Sequence, residues 1–198
     1  MTKSIANSGP TRRDALLVVH VQNDFLPGGS LAVPEGDKVI PLLNRYIAHF
    51  KALELPIIAT RDWHPPDHCS FRAQGGPWPP HCIAGTEGAA FAKALGLPDT
   101  TPVISQATRP DKEAYSSFEG TSLEIQLLKL GVRCVFVGGL ATDYCVLNTV
   151  LDALKAGFHV VVLKDAIRAV DVHPGDGVRA LELMQSKGAS LATIEDFS

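Results

Sequence analysis

Six short, nearly unbroken apolar runs, separated by stretches of helical periodicity, leave this chain few folds to choose from. The runs lie at 15–21, 56–60, 101–105, 134–138, 159–163 and 190–194. Several are rich in β-branched residues and carry no polar alternation, the pattern of strands covered on both faces. Amphipathic stretches at 38–53, 88–95, 122–130, 142–156 and 176–187 predict the helices between them. "LLKLGV", "LKAGF" and "QSKGAS" each place a glycine just past a helix, a common C-terminal cap. Strand–helix alternation of this kind implies βαβ units. The expected fold class is α/β, a three-layer α/β/α sandwich around a six-stranded, mainly parallel sheet.

The length of 198 residues suits one domain. Residues 1–13 read as a flexible N-terminal tail, with the domain over 14–198. A formal net charge of −3 gives no basic footprint, so nucleic acid is not an expected partner. No apolar run is long enough to span a bilayer, and "MTKSIANSGPTRR" has no secretory apolar core. Four cysteines without a CxxC pair predict a reducing, cytoplasmic setting. The sequence leaves open whether copies of the chain associate as a homo-oligomer.

Residues 61–88 break the strand–helix rhythm with a long loop rich in Pro, His, Gly and Trp. Such a loop in a compact domain is usually functional. In parallel sheets, ligands bind beyond the carboxyl ends of strands. His20, Asp62, Gln106 and Gly139 all lie at or past such ends and are expected to converge. "RDWHPPDHCSF" and "WPPHC" supply Asp62, His64, His68 and His81. One carboxylate with several imidazoles suits Zn²⁺, Fe²⁺ or Mn²⁺ rather than Ca²⁺. His68 is the weakest of the four and could instead support a ligand.

"CVFVGGLATDYCVLNTVLDAL" runs from a buried strand through Gly138-Gly139 into a helix. Thr142 reads as its N-cap, with Asp143 in the first turn. Cys145 follows, where a helix dipole lowers a thiol pKa and free N–H groups can hold an oxyanion. Cys134, inside a strand, reads as a small buried hydrophobe.

Together, "VQNDFLPGGSLAV", "RDWHPPDHCSF", "WPPHC", "PDKEAYSSFEGT" and "GLATDYCVLNTVLDALKAGF" resemble the nicotinamidase/pyrazinamidase branch of the isochorismatase-like cysteine hydrolases. The resemblance runs from Ala15 to Ile194. It implies hydrolysis of nicotinamide to nicotinate and ammonia through a cysteine thioester, beside one divalent transition metal ion that holds the ring nitrogen. By position, Cys145 matches the nucleophile. Asp62, His64 and His81 match the metal ligands, and His68 is a ligand in some members. Phe25, Trp78 and Tyr115 match the aromatic walls. Leu140–Ala141 matches a cis peptide at the substrate site, and the amides of Ala141 and Cys145 match the oxyanion hole.

Two catalytic positions differ from that pattern. Where the family carries an aspartate base before "VQNDF", this chain has His20. Where it carries a lysine nine residues before the tyrosine of "AYSSF", this chain has Gln106. The pair replaces two opposite charges with two groups that can both be neutral, and a hydrogen bond between them is open to them. Imidazole beside a thiol is a working nucleophile–base pair in other hydrolases. Two readings follow: an amidase of reduced rate, or a binder of nicotinamide-like rings without turnover.

Overall fold

In a computed structural model, residues 10–197 are described. The expected tail falls mostly on residues 1–9, outside the described residues. Six parallel strands form one sheet in the order β3-β2-β1-β4-β5-β6. They are β1 Asp14–Val19, β2 Ile57–Asp62, β3 Val103–Gln106, β4 Cys134–Leu140, β5 His159–Arg168 and β6 Ser190–Ala192. Four helices cover it: α1 Val39–Ala52, α2 Leu123–Lys129, α3 Leu147–Lys155 and α4 Asp176–Ser186.

Alternation along β1 explains the two outer layers. Leu16 and Val18 point to one face, where they join Leu43, Tyr46 and Phe50 of α1. Leu17 and Val19 point to the other face, with Leu127 of α2, Val150 of α3 and Met184 of α4. Each face is apolar, so the strand reads as one unbroken run. Burying one such side chain contributes roughly 1.5–3 kcal/mol. At the helix ends, Gly131, Gly157 and Gly188 take positive φ and close α2, α3 and α4.

The strand order reverses between β1 and β4. Gly139 on β4 has φ +123°, and a Cβ there would lie 2.0 Å from the Val19 carbonyl oxygen. Only glycine lets the two central strands approach so closely at their carboxyl ends.

Two expectations are corrected. The stretch 88–95 forms no helix. Its backbone groups pair instead with the segment after β1: Asn23 N–H donates to Ala90 O, and Ala92 N–H donates to Val21 O. Tertiary pairing outweighs a local periodicity only two turns long. The helix expected over 142–156 begins as a π-helical turn, Thr142–Val146, before α3 starts at Leu147. Ala141, not Thr142, is its N-cap, and no side chain caps it.

Candidate active site

β1 ends at Val19, and His20 turns away from the sheet with φ +49°. Its N–H still donates to Thr60 O, which fixes the turn against β2. β2 runs on to Asp62, two residues beyond its expected end. His64 then pairs with the returning loop. Its N–H donates to Cys82 O, and its carbonyl accepts from Ala84 N–H. This short bridge carries His81 to within reach of Asp62, although the loop between has almost no regular structure.

Asp62, His64 and His81 are all buried, and their ligand atoms lie within 4.8 Å of one another. His64 Nδ1 is bonded to Ala107 O, and His81 Nδ1 to Pro79 O. Each carbonyl selects the tautomer with Nδ1–H and leaves Nε2 free toward the carboxylate. His64 Nε2 is 3.7 Å from Asp62 Oδ2 and has no hydrogen-bond partner. Two ligands on a tetrahedral zinc ion stand about 3.4 Å apart, so the trio needs little adjustment to hold one. Phe71 backs the rings of both histidines at 5.5 Å. His68 does not join the trio. Its Nδ1 bonds Ser70 Oγ and its Nε2 bonds Lys112 O, so neither nitrogen is free.

Gln22 is a residue the sequence reasoning missed. Its Nε2 donates to Asp62 O and Ala89 O, and its Oε1 accepts from Asp62 N–H, all at 2.8–2.9 Å. This clamp fixes the backbone that presents the Asp62 carboxylate. Replacing Gln22 with alanine leaves those buried groups without partners, at about 1–3 kcal/mol each. We expect the melting temperature to fall by at least roughly 6–12 °C and metal affinity to fall roughly 10–100-fold. Thermal melting and metal titration check both.

The carboxyl end of β4 supplies the opposite wall. Leu140–Ala141 is a cis peptide, and the π-helical turn places Cys145 on the pocket surface. Phe25, Trp78 and Tyr115 line the same pocket as Asp62, His64, His81, Ala141 and Cys145. Trp78 Nε1–H donates to Tyr115 Oη at 2.9 Å, which locks two aromatic walls together. Tyr144, unremarked in the sequence, packs edge-on to Trp78 at 5.1 Å and completes that wall. Leu31, Val33 and Val170 add apolar lining, and Glu113 adds one carboxylate. Val170 is held there by Asp143, whose carboxylate accepts from Val170 N–H and Asp171 N–H. Leu140, expected in the pocket, has its side chain wholly in the core.

His20 and Gln106 lie behind the pocket, fully enclosed. His20 Nδ1 is 3.7 Å from Asp62 Oδ2. His20, Asp62 and Cys145 also bring their donor atoms within 4.8 Å of one another. The hydrogen bond open to His20 and Gln106 is not formed. Gln106 Nε2 donates to Ala114 O instead, and its Oε1 has no partner. The amide is still close enough to raise His20 basicity slightly and to favour the ionised Asp62.

Electrostatically the cluster is starved of solvent. Burial pushes Asp62 up to about 7, with the nearby His81 opposing it. Burial takes His20 down to about 3, well below the near-neutral value its side-chain type suggests. Cys145 is corrected too. Burial first, and the Asp62 and Glu113 carboxylates next, push its thiol well above the ordinary value. Desolvation outweighs the short helical turn that was expected to lower it.

Residues 14–196 match the Isochorismatase domain model. The chain belongs to the isochorismatase family. This isochorismatase-family chain is 38% identical to the nicotinamidase of Escherichia coli, over 92% of its own length and 96% of that relative's. It superposes on the pyrazinamidase of Pyrococcus horikoshii, solved in complex with zinc, with a TM-score of 0.88. The identity there is 53%, covering 91% of this chain and 99% of that one. A protein of L. infantum solved in complex with nicotinate also gives 0.88, at 35% identity, over 95% and 96% of the two chains. Among the described residues, no helix is long and apolar enough to cross a membrane.

Proposed function

We propose that the chain is a metal-dependent cysteine amidohydrolase that converts nicotinamide to nicotinate and ammonia. The observation that carries this reading is convergence. One pocket collects Cys145, the Asp62–His64–His81 trio and a wall of Phe25, Trp78, Tyr115 and Tyr144. The aromatic side chains suit a flat ring. Asp62, His64 and His81 would hold a divalent ion, which would supply a Lewis acid for the bound ring.

Cys145 Sγ attacks the amide carbon. Its proton passes to His20, a nitrogen base grouped with Cys145 and Asp62 within 4.8 Å. Asp62 lends the imidazolium a counter-charge while it lasts. The amides of Ala141 and Cys145, at the start of the π-helical turn, hold the developing oxyanion. His20 returns the proton to the departing ammonia, and the Cys145 thioester remains. Water, deprotonated by His20, then releases nicotinate. The depressed basicity of His20 makes the first proton transfer costly, so this arrangement works at a reduced rate. Four free cysteines fit a reducing, cytoplasmic setting. Ammonia release from nicotinamide by metal-loaded protein tests the proposal. Nicotinamide binding without any ammonia would instead favour the ring-binding reading.

The buried position of His20 and Gln106 beside Asp62 yields a quantitative expectation. His20→Asp alone sets a second carboxylate against Asp62 with no cationic side chain added to offset it. It should destabilise the chain by roughly 3–5 kcal/mol. Adding Gln106→Lys supplies that cation, and the double variant should recover most of the loss. It should also release ammonia at least about tenfold faster than the starting chain, through a cation near the reacting amide. Melting temperature and ammonia release across the four proteins check this. Additive effects in both would mean that the two positions are not coupled.

A further inference from the structure

His20 makes no side-chain hydrogen bond. It is fully buried, and neither ring nitrogen has a hydrogen-bond partner. Burying polar nitrogens unpaired costs free energy, and native structures seldom leave such a group without a function. Its neighbours are the Asp62 carboxylate at 3.7 Å and the Cys145 thiol, all three buried and within 4.8 Å. Imidazole, carboxylate and thiolate are together a borderline-soft donor set, the kind that selects zinc. The separation of His20 Nδ1 from Asp62 Oδ2 is close to the about 3.4 Å between two ligands on a tetrahedral zinc ion. Asp62 also belongs to the trio with His64 and His81, so its carboxylate stands between two groups of donors.

We propose that His20, Asp62 and Cys145 form a second zinc site, bridged to the first through Asp62, which captures the cysteine when metal is in excess. Carboxylate-bridged pairs of ions about 3.5–4 Å apart are a recurrent arrangement. Binding breaks the Cys145 S–H bond, forms a Zn–S bond and releases the proton to solvent. Gln106 Oε1, buried and without a partner near the same cluster, can accept a hydrogen bond from water filling the open position. The substitution of His20 for the family aspartate gives this chain a neutral nitrogen ligand there. That the second ion inhibits rests on the proposed role of Cys145 as nucleophile. That it binds does not.

Metal-free protein is titrated with Co²⁺ and, separately, with Zn²⁺. With Co²⁺, a sulfur-to-cobalt charge-transfer absorption is expected to develop at the second equivalent, not the first. With Zn²⁺, the second equivalent should slow alkylation of Cys145 by roughly tenfold or more, read by peptide mass spectrometry. Cys69, free, partly exposed and outside the donor groups, is the internal control. His20→Asn should keep the first equivalent, which reports an intact fold, and lose both signals of the second. Cys145→Ser should lose the charge-transfer absorption. Absence of that absorption in the starting chain, or its persistence in His20→Asn, overturns the proposal. Ammonia release is followed at one and at two equivalents. It should appear at one and fall at two. Absorption without any ammonia release leaves the second site standing and removes the amidase reading. Undiminished ammonia release while the absorption is present leaves the second site standing and removes Cys145 as the nucleophile, and undiminished release with no absorption removes the second site alone.

Discussion

Cys145→Ala abolishes ammonia release, by on the order of 10⁴-fold or more in kcat, as removal of a covalent nucleophile does in other hydrolases. The substitution is small. Cys145 is buried against Val146 and Val150 on the α3 side of the sheet, and alanine keeps most of that packing. Thermal stability should therefore change by no more than about 1–2 kcal/mol, less than a typical large-to-small core substitution. The aromatic walls and the Asp62 trio are untouched. Nicotinate binding should accordingly stay within a few-fold, measured by calorimetry. Loss of activity with binding retained assigns Cys145 to chemistry rather than to shape. An alanine variant with more than about a hundredth of the starting rate would leave the thiol without a covalent role.

The second large effect concerns the metal. Purified protein should carry about one transition-metal ion per chain when no excess is supplied, by the count of donors. Asp62→Ala with His81→Ala should carry none. Its ammonia release should fall on the order of 10³-fold, the worth of several kcal/mol of charge stabilisation. Asp62 faces His20 as well, so the double variant removes two functions at once. His81→Ala alone touches only the metal arm and should still lose most of the ion. Chelation of the starting chain followed by resupply of Zn²⁺, Fe²⁺ or Mn²⁺ shows which ion restores the rate. Full metal occupancy in the double variant would contradict the ligand assignment.

The sheet was legible because burial on both faces writes itself into strands as continuous apolar runs. β1 and β4 carry this pattern throughout, and both were located to within two residues at each end. β5 was cut short at 163 because Lys164 and Asp165 interrupt the apolar run, although the strand continues to Arg168. The stretch 88–95 misled because its small apolar residues repeat at helical spacing while its hydrogen-bonding partners lie some seventy residues away. Asp62, His64 and His81 were legible as chemistry because carboxylate and imidazole cluster at the end of β2 and in the long loop that follows it. Their selection from His68 was a matter of hydrogen bonds. Only the structure shows that Ser70 and Lys112 occupy both His68 nitrogens. Gln22 escaped notice because a glutamine beside Asn23 and Asp24 reads as ordinary loop polarity. Its clamp on Asp62 crosses between two strand ends. Burial also reversed the electrostatic expectation for Cys145 and lowered the basicity of His20, since a linear sequence does not show how completely water is excluded from a point.

The central claim is that Cys145 becomes acylated by nicotinamide with His20 taking its proton. Rapid quenching of metal-loaded protein with nicotinamide in acid, followed by peptide mass spectrometry, tests it most directly. A nicotinoyl thioester should appear on the peptide that contains Cys145, decay at the rate of nicotinate formation, and be absent from Cys145→Ala. Steady ammonia release with no adduct on that peptide, persisting in Cys145→Ala, would contradict it.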